Sequence, residues 1–307
     1  MKKLLAVVMS VVIAAAVMCP VLTASAAGDT DYTIVNPYET VDWDSWQYYK
    51  ANLHTHSVAS DGDETITDMV GLYYDAGYDI LALTDHGVVS HGWNLPRKTN
   101  GVFNYFRKAD PMSDEDYQRI TTGSDRGGRG MTDITGGIEI NMAVFSKTHV
   151  NGYFTEYGQG EWGIENDYRT APAKVEEMGG YSVLNHVGDW VNSNRYPERS
   201  HWDVFITYFA NIFKDYHTCL GMEIKNNTDN VTRADRALWD ELLQVVIPTG
   251  RNIWAFADDD SEYRNEVGRS FEYFVLPENT EEAVKTGMIN GTFFACRNYP
   301  DCKTTKP

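Results

Sequence analysis

The chain has 307 residues, 44 acidic against 26 basic side chains, and a formal net charge of −18. That balance is opposite to the basic footprint of a nucleic-acid-binding surface, so nucleic acid is excluded as a general partner, though not a short oligonucleotide drawn to a locally positive site. Only 4 cysteines are present and none forms a CxxC pair, which argues against both a disulfide-rich scaffold and a thiolate zinc site.

Met1-Lys2-Lys3 precedes an apolar run from Leu4 to Met18 and the small-residue stretch Ala24-Ser25-Ala26. This is the pattern of a secretory signal peptide cut near Ala26, so residues 1–26 are read as that signal and the mature protein as secreted. Met18 before Cys19 is a poor lipoprotein site, because that position calls for a small residue. No later stretch approaches the roughly 20 apolar residues of a membrane span. Processing leaves about 280 residues, enough for one large α/β barrel or two ordinary domains, and the loss of Lys2 and Lys3 takes the charge to about −20. Cys219 is read as a buried apolar residue. Cys296 and Cys302 are near enough in sequence for a small disulfide loop, which spacing alone neither requires nor forbids.

Residues 27–47 form an aromatic lead-in that includes Trp43 and Trp46. Beyond it a pattern recurs: a short apolar strand, a polar residue with metal-ligand chemistry, a loop, an amphipathic helix. Ile66, Met69, Val70, Tyr73 and Tyr74 stand at helical spacing and predict a helix that opens near Thr65 and stops at Gly77, with a strand over 78–84 following at once. Residues 90–133 break the rhythm and, being polar and rich in Gly, Arg and Asp, read as a solvated excursion rather than a substrate-covering lid. Strands over 134–140, 150–154, 181–184, 220–224 and 253–257 then alternate with helices. Those helices are signalled by Thr170 with Pro172, by the stretch 201–214, and by Thr232-Arg233-Ala234-Asp235 leading into Leu238, Leu242 and Val245. The alternation predicts an α/β fold with a largely parallel sheet, closed at this length into a barrel, and a tail over 298–307.

Candidate ligands fall at the strand ends. His54 and His56 follow the first strand, and Asp85 and His86 the second; Glu139 is near the end of the third and His149 starts the next segment. His186 follows Leu184, Glu223 lies in the next strand, and Asp258-Asp259-Asp260 comes after Ala257. In a parallel barrel the C-terminal strand ends share one face, where active sites are built. A His-x-His on a strand sends both imidazoles to the same side, and imidazoles mixed with carboxylates suit Zn, Mn or Fe.

Asn52-Leu53-His54-Thr55-His56 with Ser60-Asp61-Gly62, Leu83-Thr84-Asp85-His86-Gly87, Gly137-Ile138-Glu139, Leu184-Asn185-His186 and the late Asp-rich turn together resemble the PHP superfamily, named for polymerase and histidinol phosphatase. The resemblance spans residues 48–297 and implies a distorted, TIM-like (β/α)7 barrel with two or three divalent metal ions. By that resemblance His54, His56, Glu139 and Asp260 hold one metal. Glu139 bridges to a second, held also by His149 and His186, and Asp61, His86 and Glu262 surround a third. Glu262 stands where the family's last motif, Asp-x-His, has histidine; a carboxylate there either ligates the same ions or leaves that metal weak or absent. Asp258 and Asp259 remain alternatives to Asp260, and the strand context of His149 is less clear than that of His54 or His186.

Paired cations activate a water and stabilise charge on both oxygens of an in-line displacement. The reading is therefore a metal-dependent phosphoesterase in which metal-bound hydroxide attacks the phosphorus of a monoester or diester, small or polymer-borne. Asp85 is assigned to orienting an imidazole, the alternative being a strand-end carboxylate that accepts backbone donors. Among Arg97, Lys98, Arg126, Arg129, Lys147, Arg195 and Lys225, the preferred holders of the substrate phosphate are Arg195 and Lys225, which closely follow the His186 and Glu223 strand ends. Trp93, Trp162 and Trp190 are candidates for an aromatic wall, with core packing as the alternative. Two readings compete: the same metals acting on an amide or a carbohydrate ester, and a non-catalytic binding module with a partly decayed site.

Overall fold

The computed structural model describes residues 35–98, 109–141, 147–160, 167–227 and 232–298. The signal-peptide stretch, Trp162, Cys302 and the tail beyond Asn298 lie outside them. Strands are numbered in chain order. In one sheet β1 (Gln47–Asn52), β2 (Ile80–Ala82) and β3 (Thr132–Ile134) run parallel, while β9 (Ser270–Leu276) pairs antiparallel with β1 and β10 (Phe293–Arg297) antiparallel with β9. In the other, β5 (His149–Tyr153) runs antiparallel to both its neighbours, β4 (Ile138–Asn141) and β6 (Tyr181–Leu184), and β7 (Cys219–Asn226) and β8 (Trp254–Asp258) continue parallel to β6.

Among the described residues the strands form two mixed five-stranded sheets where one largely parallel sheet was expected, and the two are joined at isolated bridges such as Thr55 with Ser261 and His86 with Glu139. The apolar run read as one strand over 134–140 is split between them. Gly136 takes a left-handed φ of 67°, and a Cβ there would lie 2.5 Å from the Thr155 amide nitrogen, so only glycine makes this corner. The turn delivers Glu139 to the second sheet, opposite His86 in the first.

Helix α1 (Ile66–Asp75) starts where the Thr65 hydroxyl accepts from the Asp68 amide and ends before Gly77, as its spacing predicts. It buries Ile66, Met69, Val70, Tyr73 and Tyr74, the first three each contributing about 1.5–3 kcal/mol on full burial. The stretch read as a solvated excursion contains α2 (Asp114–Thr122), capped by Ser113 and stopped by left-handed Gly123. Helices α3 (Thr170–Glu177), α4 (Val187–Val191), α5 (Asp203–Asp215) and α6 (Asp235–Val246) follow in the second half, and α7 (Glu281–Asn290) connects β9 to β10. The helix expected from Thr232 begins at Asp235, because the Thr232 hydroxyl accepts instead from the Asn226 amide at 2.9 Å. A core that includes Leu53, Ile134, Tyr153, Val183, Phe256 and Phe274 draws on strands of both sheets and fixes their relative position. Cys219 is fully buried, its thiol pushed up to about 12 by burial. Among the described residues no helix is long and apolar enough to cross a membrane.

Candidate metal centre

Both sheets aim their ligand-bearing ends at Glu139. Its Oε1 lies 3.3 Å from His54 Nε2, 3.1 Å from His149 Nδ1 and 3.4 Å from His186 Nε2. Its Oε2 lies 3.3 Å from His56 Nε2 and 3.0 Å from His86 Nδ1. Asp260 Oδ1 closes the first group at 3.1 Å from His54 Nε2 and 3.0 Å from His56 Nε2. Asp61 reaches His56 at 3.4 Å and His86 at 3.3 Å. Potential ligand atoms thus gather as His54, His56, Glu139 and Asp260; as His56, Asp61 and His86; and as His86, Glu139 and His149, each set within 4.8 Å. His149 enters because β5 is antiparallel: its first residue lies at the end of the sheet where β6, running the other way, delivers His186.

The donor set fits divalent cations. It is imidazole nitrogen and carboxylate oxygen with no thiolate, as borderline ions prefer. His86 Nδ1 and Glu139 Oε2 face each other at 3.0 Å yet lack hydrogen-bond geometry, and His186 Nδ1 is buried without a hydrogen bond. Two imidazole pairs meet nitrogen to nitrogen at 3.2 Å, His54 with His56 and His149 with His186.

Electrostatics say the same. Burial pulls the His54 imidazole down, but the carboxylates of Asp260, Glu139 and Glu223 push it well above its usual value. His186, likewise buried, is driven up to about 9 by Glu139 and Asp260. Against its own burial, Glu139 is held well below the carboxylate range by His149, His86 and His54. Burial lowers His149, outweighing the Glu139 charge beside it. A cation bound here competes with protons for the same lone pairs.

Two of these residues sit in a sparsely populated backbone region, His186 with φ 28° and Asp260 with φ 47°. A second ring of polar contacts holds them there. Glu223, fully buried, accepts from His54 Nδ1 at 2.7 Å through Oε1, and from the His186 amide at 2.8 Å and Asn226 Nδ2 at 2.9 Å through Oε2. Asn226 Nδ2 also donates to Asp260 Oδ2 at 3.0 Å, and Asn185 Nδ2 donates to Glu139 Oε1 at 2.8 Å. Sequence spacing placed Glu223 among the ligands without separating this supporting role, and gave no signal for Asn226; Asn185 stood only as a motif letter beside His186.

The three aspartates resolve by their partners. Asp260 faces the cluster, Asp258 accepts from the Leu53 amide at 2.6 Å, and Asp259 accepts from the Gly268, Arg269 and Ser270 amides and the Tyr73 hydroxyl. Glu262 is half-buried beside Asp61 and His56; burial and the Asp61 charge raise its acid. Asp85 touches no imidazole. It accepts from the Ser57 amide at 2.7 Å and from the hydroxyls of Ser57 and Ser60, and Ser60 Oγ lies 3.3 Å from His56 Nδ1, so any orienting effect passes through a serine.

The basic candidates have partners of their own. Lys225 donates to the carbonyls of Asn226 and Asn227, at the end of its own strand. Arg195 is exposed, its guanidinium 5.4 Å from the Tyr196 ring centre. Arg129 forms a fork on Asp79 at 2.6 and 2.7 Å, and Arg126 bonds the Tyr78 carbonyl; both sit at the start of β2, the end away from His86. Arg97 is buried, with Nη1 3.8 Å from Asp85 Oδ2. Lys147 pairs with Asp189 at 2.8 Å. Trp93 is core; Trp190 is 39% exposed in an aromatic group with Tyr168, Phe205 and Tyr208.

No protein-family model matches the chain, and no curated protein does. Among solved structures it is similar to a two-domain protein from Bacteroides vulgatus, described as containing a predicted PHP-like metal-dependent phosphoesterase, with TM-score 0.56 and 17% identity over 87% of this chain and 68% of that one. That likeness is one of fold. Weaker resemblances, which carry no argument, are to PsfC from Pseudomonas syringae (TM-score 0.46, 14% identity, 76% of this chain and 84% of that one) and to a lesion-specific endonuclease from Pyrococcus furiosus (0.43, 13%, 81% and 58%).

Proposed function

We propose that this chain is an exported, metal-dependent hydrolase of phosphate esters that uses two or three divalent ions, with a distorted PHP-type barrel as its scaffold. The observation that carries the reading is the position of Glu139: one buried carboxylate whose two oxygens face different sets of imidazoles. A carboxylate so placed is suited to bridge neighbouring cations. Divalent ions at such a centre supply positive charge against phosphoryl oxygens and a more acidic water.

The chain's own residues define three positions. His54, His56 and Asp260 hold one side of Glu139, and His149 and His186 hold another. Asp61 and His86, with Glu262 beside them, frame the third. Glu262 replaces an imidazole by a carboxylate, making that position harder and more negative, and the ion it favours is correspondingly more oxygen-loving. The signal-like pattern of residues 1–26 supports export, and with it extracellular phosphate esters as the substrates.

The test is hydrolysis of nitrophenyl phosphate and of the bis-ester by protein lacking residues 1–26, with Mn or Zn and against a chelated control. Metal-dependent turnover is expected, and the faster substrate assigns monoester or diester. Bound metal with neither ester cleaved transfers the reading to an amide or carbohydrate ester, and protein that binds no metal refutes it.

A further inference from the structure

A second feature lies on the segment that follows His186. Helix α4 starts at Val187, and its Asp189 pairs with Lys147, two residues from His149, so this surface begins at the rim of the cluster. Trp190 packs on Phe205 at 5.9 Å, and Phe205 stacks on Trp202 at 5.9 Å with planes 7° apart. Trp202 leads to Arg199, whose guanidinium lies 5.1 Å from the Trp202 ring centre and 5.0 Å from that of Tyr196; Arg195 lies 5.4 Å from the Tyr196 ring. Three rings in succession are thus followed by Arg199, Tyr196 and Arg195 along one strip of surface. Trp190, Tyr196 and Trp202 remain 39%, 37% and 43% exposed, large values for rings with this many neighbours.

The charges decide what the strip is for. In a chain of net charge −18, an arginine has many carboxylates to choose from, yet neither Arg195 nor Arg199 lies within ion-pair distance of one among the described residues. The Arg199 guanidinium donates to the Val191 carbonyl at 3.2 Å. Guanidinium groups steadied by rings keep donors for an external anion, and planar donors match phosphate geometry. Half-exposed indole and phenol faces suit the apolar face of a sugar ring.

We propose that the strip from Trp190 to Trp202 is a binding subsite for a phosphate-bearing glycan. Arg195 and Arg199 take an anionic group remote from the bond that is cut, and the rings of Tyr196 and Trp202 take a sugar face. The inference rests on the phosphate-ester reading for the cleaved bond and adds the class of molecule that carries it. A glycan is favoured over nucleic acid because the strip offers two arginines, with the exposed Glu198 between them, on an acidic protein, enough for a sparsely charged polymer but not for one with a charge on every unit.

The test measures retention of the protein on phosphomannan, on the same mannan freed of phosphate, and on a single-stranded oligodeoxythymidylate. Phosphomannan is expected to bind the parent and the His54→Ala variant alike. Binding should weaken about tenfold or more in Arg195→Gln/Arg199→Gln and measurably in Trp202→Ala, with unfolding midpoints of all variants near the parent. Equal binding by the double arginine variant, equal binding of the phosphate-free mannan, or tighter binding of the oligonucleotide overturns the subsite. Loss of binding in His54→Ala does so too, by assigning the glycan to the cluster alone. Failure of the small-ester assay with glycan binding intact would instead sink the phosphate-ester reading.

Discussion

Glu223→Gln probes how the centre is held without removing any residue of the ligand cluster. The carboxylate serves three donors: His54 Nδ1 at Oε1, and the His186 amide and Asn226 Nδ2 at Oε2. A glutamine has one oxygen and one NH2. Turning the NH2 toward His186 and Asn226 opposes donor to donor twice; turning it toward His54 does so once, and His54 escapes by moving its proton from Nδ1 to Nε2. Nε2 is the nitrogen that faces Glu139 and Asp260, where a ligand needs a lone pair. The lost charge-assisted bond is worth about 1.5–3 kcal/mol, and a supporting contact of this kind sets about 10- to 100-fold in metal affinity. Competition with a chromogenic chelator for Zn or Mn reads that loss directly, and the unfolding midpoint of the metal-free variant checks that the fold survives. Parental affinity in Glu223→Gln would refute the tautomer argument.

Three further perturbations follow from the same geometry. Gly62→Ala adds a Cβ 2.8 Å from the His56 carbonyl carbon and oxygen and the Ser57 nitrogen, all backbone, so His56 must shift; metal content should fall, and a full complement by elemental analysis would contradict the packing. Glu262→His supplies an imidazole beside Asp61 and should raise metal stoichiometry or affinity at that position, whereas unchanged titrations would place Glu262 outside the centre. Asp235 is fully buried, and burial, opposed in part by the Gly188 amide and the His186 charge, lifts its acid from 3.8 to about 7. Its neutral form favours the fold below pH 3.8, and that contribution is lost as pH rises through about 7. Asp235→Asn should therefore gain stability relative to the parent across that window, by at most about 4 kcal/mol; a difference in metal-free unfolding midpoint that is the same at pH 5 and pH 8 would refute this.

Most of the clustered side chains were legible because they sit at or just beyond a strand end, and strand ends are marked by a change from apolar run to polar residue. The sheet was less so. A short apolar run reads identically in either direction, so nothing in the sequence of β4, β5 or β9 announced that they run antiparallel to their neighbours. The split at Gly136 was written in Gly136-Gly137, but a glycine inside an apolar run is equally compatible with a bulge. The helix hidden within 90–133 had a legible start in Ser113 followed by Asp116, which the surrounding polarity obscured.

The phosphate holders show the deeper limit. Proximity in sequence to a ligand places a residue near the site only while the chain keeps its direction. Between His186 and Arg195 the chain completes α4 and passes through Asn192 at φ 60°, a left-handed stop that turns it outward. Arg195 therefore joins Tyr196 and Arg199 on the surface, not Glu139 in the cluster. The same turn that carries it away from the cluster leaves a surface of arginines and aromatic rings on the segment that follows. On the proposed reading, a polymer reaching the cluster along that strip would meet Arg195, Arg199 and the rings before its scissile bond, so residues outside the cluster would select what is hydrolysed.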